Sequence, residues 1–258
     1  MNPSYNWHFV NDKFYKKEHV YTMEWGNLDL SSFLVAGSSF GGPIALIRNP
    51  KKIVTVHSQT KRPTMFIYTS SGKLISQFVW EKGNIVGLSW AKNEILVCVV
   101  EQGTVFLFDV HGSCSDFTLG EDEILEARIF DEGLVAMTRQ FQFILVSDLN
   151  EPRPKLLSFF LLKDYPACWD VLPADKSASM HPEIIIATSK TIYVLDQAGY
   201  QDQFVERGPF SEMKISPDGK YLALFTSDGH LWVVSTDFQV NVMDFDTDSK
   251  SAPIQLAW

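Results

Sequence analysis

An all-β fold of the β-propeller type, with WD-like blades, is what this 258-residue sequence predicts, and three observations predict it. Short apolar segments with a shared ending recur at intervals near 42 residues, and three strand-like runs each place an aromatic residue six positions before a glycine. A 22-residue stretch also lies ungapped over another that begins 126 residues downstream. Repeats of about 40 to 45 residues holding several strands are the signature of propeller blades. One blade cannot hide both of its apolar faces, so stacking on neighbours stabilises it.

The segment that opens each repeat comes first. Ile85 to Trp90 (IVGLSW) is echoed by Val20 to Trp25 (VYTMEW) and Pro253 to Trp258 (PIQLAW), with weaker copies ending at Phe130, Leu172 and Ser216. Four of the five intervals between these ends are 40 to 44 residues, and the first, 65, is lengthened by the stretch between Gly41 and Pro63. A later element follows: FIYTSSG (Phe66 to Gly72), FLFDVHG (Phe106 to Gly112) and YVLDQAG (Tyr193 to Gly199). Aromatics suit a half-buried strand and glycine suits the turn that ends it. Finally, Gly87 to Phe108 matches Met213 to Val234, with Gly103 over Gly229, and both stretches read as strand, turn, strand, turn, strand.

The expected blades are residues 20–80, 85–120, 124–162, 166–207 and 211–247 of a single domain, 1–258, with Ile254 to Trp258 opening a sixth. The pattern stops inside a repeat, which predicts a truncated part of a ring, commonly seven-bladed, because full closure is how such sheets avoid open edges.

Composition excludes several classes of function. With 45% hydrophobic residues the chain is globular, and its longest apolar runs, Ile95 to Val100 and Leu156 to Leu162, fall far short of the roughly 18 residues of a membrane span. The first twenty residues carry charges and no apolar stretch, so no secretory signal is expected. Three unpaired-looking cysteines, Cys98, Cys114 and Cys168, suit a reducing, cytosolic compartment. Net charge is −9, which argues against general nucleic-acid binding. The charge is uneven: residues 1–92 hold 11 basic and 5 acidic groups, and residues 93–258 hold 11 and 26. The basic third reads first as a solvated face, with an acidic partner or an anionic lipid surface as the alternative.

Catalytic and metal patterns do not assemble. The histidines show no His-x-His or His-x-x-x-His spacing and no Cys pair accompanies them. Asp244, Asp246 and Asp248 open like a calcium loop, but Ser249 stands where glycine is needed and Gln255 where the bidentate Glu belongs, so an exposed acidic turn is expected. No Gly-x-Ser-x-Gly elbow or Walker loop occurs, Cys98 reads as a buried strand thiol, and Cys114 as a loop thiol. Glu121, Asp122, Glu123 and Glu126 read as an exposed acidic loop. No cofactor, metal or catalytic residue is expected. The candidate partner surface is Trp7, Phe14, Tyr15, Lys16 and Lys17, where aromatic anchors sit beside basic residues; strand pairing or packing onto the first blade is the plainer account.

The series Asn6-Trp7, Phe14-Tyr15-Lys16-Lys17, Tyr21-Thr22-Met23-Glu24-Trp25, Leu34-Val35-Ala36 and Gly41-Gly42-Pro43-Ile44-Ala45-Leu46-Ile47-Arg48-Asn49-Pro50 resembles the amino-terminal region of the vacuolar protein sorting-associated protein sixteen family. Glu126 to Phe130, Cys168 to Leu172, Tyr221 to Thr226 and Ala252 to Ile254 agree in the same order, and the Gly-Gly-Pro-Ile-Ala-Leu-x-Arg-Asn segment is the most specific part. The resemblance implies a non-enzymatic subunit of the class C core of the HOPS and CORVET tethering complexes. Its expected roles are protein transport to the lysosome or vacuole, endosomal maturation, and vacuole, lysosome or autophagosome fusion. It further implies partners among the other class C subunits, an SM-type SNARE-binding subunit held by a helical solenoid that lies outside this sequence, and peripheral location on late endosomes and lysosomes or vacuoles. Gly41, Gly42 and Pro43 read as a turn. The alternative is a phosphoinositide-binding adaptor, for which the nearest string, Glu206-Arg207-Gly208, offers a single arginine with an acidic neighbour.

Overall fold

The structure, a computed structural model, describes residues 7–16, 22–26, 28–38, 41–50, 52, 62–157, 165–189, 191–196, 199, 201–204, 208–248, 253 and 256–258. Among these the chain is a propeller-type array of antiparallel sheets, with one short 3-10 helix at Leu30–Ser32. A hairpin, β1 (Trp7–Val10) and β2 (Lys13–Lys16), comes first. Five four-stranded sheets follow, each built strand by strand in chain order.

The first blade holds β3 (Phe33–Gly37), β4 (Ile44–Arg48), β5 (Thr64–Tyr68) and β6 (Leu74–Val79). The second holds β7 (Ile85–Trp90), β8 (Leu96–Val100), β9 (Thr104–Phe108) and β10 (Cys114–Thr118). In the third are β11 (Ile124–Phe130), β12 (Gly133–Thr138), β13 (Phe143–Val146) and β14 (Lys155–Leu156). The fourth contains β15 (Cys168–Leu172), β16 (Glu183–Ala187), β17 (Ile192–Leu195) and β18 (Gln201–Phe204). The fifth contains β19 (Phe210–Ile215), β20 (Tyr221–Thr226), β21 (His230–Ser235) and β22 (Asn241–Asp246).

The first strands of successive blades, β3, β7, β11, β15 and β19, lie side by side about the axis. Four apolar seams fill the spaces between consecutive blades. The central strands of blades two, three and four therefore meet a blade on both faces, which is why β8 and β12 are buried at every position and show no alternation. Outermost strands have no such cover, and β22 is exposed throughout. Where β7 passes β11 the approach is too close for a side chain: a Cβ at Gly87 would stand 2.8 Å from that of Ala127. The recurring aromatic-to-glycine element forms the turn into each outer strand of blades one, two and four, and Gly72, Gly112 and Gly199 all take positive φ, a region open to glycine.

Three expectations are corrected. Val20 to Trp25 is not the opening strand of the first blade: residues 22–26 carry no strand, and Val20 and Tyr21 lie outside the described residues. The Trp25 indole donates to the Ser70 carbonyl at 3.0 Å, and the Glu24 amide donates to Ser71 at 2.6 Å, so this segment latches onto the β5–β6 turn. The opening strand is β3, because it has a full register with β4 and the Trp25 segment has none. Second, the ungapped match slips by one residue on the opening strands. Leu88 pairs with Cys98 but Met213 with Leu224, so Leu88 corresponds to Met213, one residue off the uniform offset. The turn before β20 is longer by that residue, and a one-residue slip exchanges sheet faces. Third, residues 256–258 form no strand, and Ile254 and Gln255 lie outside the described residues. Trp258 is nevertheless held as Trp90 is: its indole donates to the Lys214 carbonyl at 3.0 Å, and that of Trp90 to the Ala36 carbonyl at 3.0 Å.

Candidate functional site

The candidate partner surface falls on the β1–β2 hairpin. Asn11 and Asp12 both take positive φ, 50° and 59°, which is the turn that matches the twist of a two-residue hairpin. Register places Trp7 opposite Lys16, His8 opposite Tyr15, Phe9 opposite Phe14 and Val10 opposite Lys13. Alternation then brings Trp7, Phe14 and Lys16 onto one face and turns Tyr15 to the other; Lys17 lies outside the described residues. Phe9, which sequence reasoning passed over, completes the first face, its ring centroid 4.9 Å from that of Phe14. Its signal was its place two residues after Trp7. Every residue of the hairpin is exposed, Phe14 by 70%. A two-stranded ribbon has no second sheet to stack on, so its apolar face stays in water.

A second constellation lines the axis, and sequence reasoning missed it. A cleft of about 460 Å³ is bounded by Ser89, Arg128, Asp170 and Lys214, which are register equivalents on β7, β11, β15 and β19. Opening strands have no further strand toward the axis, so their backbone groups need side-chain partners. Buried Asp170 supplies one: its carboxylate accepts from the Val171 amide at 3.1 Å, the Ile215 amide at 3.0 Å and the Lys214 ammonium at 3.0 Å. The bonds from Trp90 and Trp258 serve two carbonyls in the same way.

Beside Asp170, Glu126 accepts from the Trp169 indole at 2.8 Å and pairs with Arg128 at 2.7 Å, and the Arg128 guanidinium lies 5.6 Å from the Trp169 ring centroid. Glu126 is thus an axial strand residue, not part of the acidic loop, whereas Glu123 pairs with Arg139 at 2.5 Å. Burial pushes the Glu212 carboxyl up, opposed by Arg128 and reinforced by Glu126. Burial, with the Glu212 carboxylate adding to it, pushes the Cys168 thiol up to about 12, so it stays protonated and unreactive at neutral pH. These charges are engaged with one another and with backbone, and chemically they tie neighbouring blades together.

The remaining candidates resolve as follows. Among the described residues no group of three His, Cys, Asp or Glu side chains could hold a metal ion, and no helix is long and apolar enough to cross a membrane. Asp244 and Asp246 belong to β22 and not to a turn; Asp244 lies 3.5 Å from His230, and Asp246 accepts from the Asp248 amide at 2.9 Å. Ser249 and Gln255 lie outside the described residues. Cys98 is buried in β8, and Cys114 begins β10, exposed, instead of sitting in a loop. Of the phosphoinositide string, Glu206 and Arg207 lie outside the described residues. Gly41 to Pro43 form the turn into β4, closed by the Ser38 amide on the Pro43 carbonyl at 2.9 Å.

Comparison with known proteins adds a lineage to this geometry. Residues 3–258 match the family described as Vps16, N-terminal region. The chain is 30% identical over 282 residues to Protein VACUOLELESS1 of Arabidopsis thaliana, covering 98% of this chain and 33% of that protein. It is 33% identical over 265 residues to the vacuolar protein sorting-associated protein 16 homolog of Dictyostelium discoideum, covering 98% and 32%. It therefore spans about a third of the length of these relatives. Among solved structures it is similar to the Myceliophteria thermophila Cps50 (Swd1) β-propeller domain, with TM-score 0.54 and 16% identity over 79% of this chain and 66% of that one. Saccharomyces cerevisiae Sqt1 is similar too, with TM-score 0.58 and 11% identity over 86% and 62%. At such identities these two speak to the fold alone.

Proposed function

This chain belongs to the family of the Vps16 amino-terminal region, and from that premise we propose that it acts in vacuolar protein sorting as a non-enzymatic scaffold within HOPS- and CORVET-type tethering complexes. The observation that carries this reading is the family match across residues 3–258, joined to a fold whose charged axial groups are engaged in holding blades together. A propeller of this kind presents broad, rigid faces for assembly, which is what a tether subunit needs when vesicles are delivered to lysosomes or vacuoles and when autophagosomes fuse.

In this reading the protein reaches late endosomal, lysosomal or vacuolar membranes peripherally, through the other class C subunits. The exposed apolar face of the hairpin, Trp7, Phe9 and Phe14 with Lys16 beside them, is the contact we assign to one of those subunits. The SM-type SNARE-binding subunit would engage a solenoid outside this sequence.

Affinity capture of the tagged protein from cells, under gentle lysis, tests the assignment. Recovery of the other class C subunits is expected; recovery of none overturns it. Changing Trp7 and Phe14 together to serine should lower that recovery severalfold while the protein stays folded, and unchanged recovery would remove the hairpin from the interface.

A further inference from the structure

The segment singled out as most specific, Gly41 to Asn49, does more than turn the chain. After its glycine-proline turn it runs as β4 and ends by carrying Arg48 out to the rim of a pocket between the first two blades. The pocket, about 370 Å³, is walled by Leu34, Ile47, Pro50, Pro63, Trp80 and Ile85. Trp80 presents its apolar body there, because its indole N–H is already satisfied by the Gly83 carbonyl at 2.7 Å. The wall is thus apolar and largely preformed, and the volume lies in the range of about 300 to 1,000 Å³ that buries a small side-chain group.

The rim supplies the charge. Arg48 is exposed and its side chain makes no hydrogen bond or ion pair among the described residues, leaving its donor fork open. Lys52 stands beside it, placed by its ammonium on the Ser31 carbonyl and by its amide on the Asn49 carbonyl at 3.2 Å. That ammonium keeps two further donors. Four other described cations of the basic first third lie elsewhere: Arg62 pairs with Glu81 at 2.8 Å, Lys82 lies 4.1 Å over Phe106, and Lys13 and Lys16 are on the hairpin. Among the described residues of that basic third, Arg48 and Lys52 are the cations that line this apolar pocket.

We propose that this pocket binds a short acidic peptide segment of a partner protein, an aliphatic side chain entering between Leu34, Ile47 and Trp80 while a neighbouring carboxylate meets Arg48 and Lys52. A phosphorylated lipid headgroup would call for a cluster of cations and little apolar wall, whereas among the described residues six apolar side chains stand against two cations. The acidic half of the pair is matched by charge complementarity and the aliphatic half by the lining. This assignment rests on the pocket itself and stands apart from membership of any tethering complex.

A fluorescein-labelled decapeptide carrying two leucines flanked by aspartates is the probe, titrated with the purified protein by fluorescence polarisation at low salt. Saturable binding is expected, weakened roughly ten-fold by Arg48→Glu and by Lys52→Glu, as for loss of a charge-assisted contact. Lys73→Glu, an exposed change of equal charge outside the pocket, should leave it within about two-fold, within the range of a screened surface charge. A peptide with both leucines replaced by serine should lose binding. Absence of saturable binding, or equal weakening by Lys73→Glu, overturns the proposal. So does a reversal of preference, in which phosphoinositide-containing vesicles bind through Arg48 and the peptide does not.

Discussion

The seam between the second and third blades and the amino-terminal hairpin are built from the same kinds of residue and meet opposite fates. In the seam Leu134 and Ala136 of β12 and Val97 and Val99 of β8 are inaccessible to solvent; in the hairpin Phe14 is 70% exposed. Apolar composition alone does not decide burial. The seam strands are the middle strands of four-stranded sheets with a blade on each side, and among the described residues the ribbon is a two-stranded sheet by itself. The lesson is that a propeller spends its apolar residues on stability between blades and leaves the apolar face of a lone ribbon exposed.

The largest test of that contrast is Leu134→Ala, which should cost about 3 kcal/mol by removing buried methylenes and leaving a cavity that close packing cannot refill. Denaturant unfolding would measure it, and a loss below about 1 kcal/mol would mean that the seam is loosely packed. Next comes Asp170→Ala, expected to cost about 2 kcal/mol because the Ile215 amide loses its acceptor beside the axis. Trp90→Phe should cost about 1 kcal/mol, the worth of one hydrogen bond to the Ala36 carbonyl. Phe14→Ser, at the far end of the comparison, should change stability by less than about 0.5 kcal/mol, as exposed positions do. A larger loss there would show that the hairpin packs on a blade.

Thiol chemistry sharpens the contrast on another axis. With an alkylating reagent at pH 8 the folded protein should present one accessible thiol, Cys114, while Cys98 and Cys168 react on unfolding. Burial pushes the Cys168 thiol up to about 12 in the folded chain, from an ordinary value of 9.0. A raised folded value means that the stability it contributes is complete below about pH 9 and is lost as pH rises toward 12. Cys168→Ala should therefore flatten the alkaline decline of the unfolding free energy, and an unchanged slope would sink the assignment of that decline to this thiol.

Much of the fold was legible because blade strands leave local marks. The apolar run Ile95 to Val100 announces a strand covered on both faces, and the aromatic-to-glycine spacing marks a turn wherever it occurs. The misreading of Val20 to Trp25 has a physical origin: an apolar segment ending in tryptophan looks like an opening strand, but strand formation also demands a partner in register, which Phe33–Gly37 found in β4. The one-residue slip on the opening strands arose in turn length, which periodicity averages away. Of the candidate partner surface, Trp7, Phe14 and Lys16 share a face, and Tyr15 falls on the other by strand alternation.

Repeat length, strand order and family were determined by the sequence alone, because each depends on residues close together in the chain and recurs often enough to be recognised. Only the tertiary structure decided that Glu126, Arg128, Asp170 and Lys214 meet at one axis, and that Arg48 and Lys52 stand over a pocket backed by Trp80. Those meetings depend on how one blade is set against the next. A single added residue in a turn is enough to change which side chain arrives, and no local pattern records that angle.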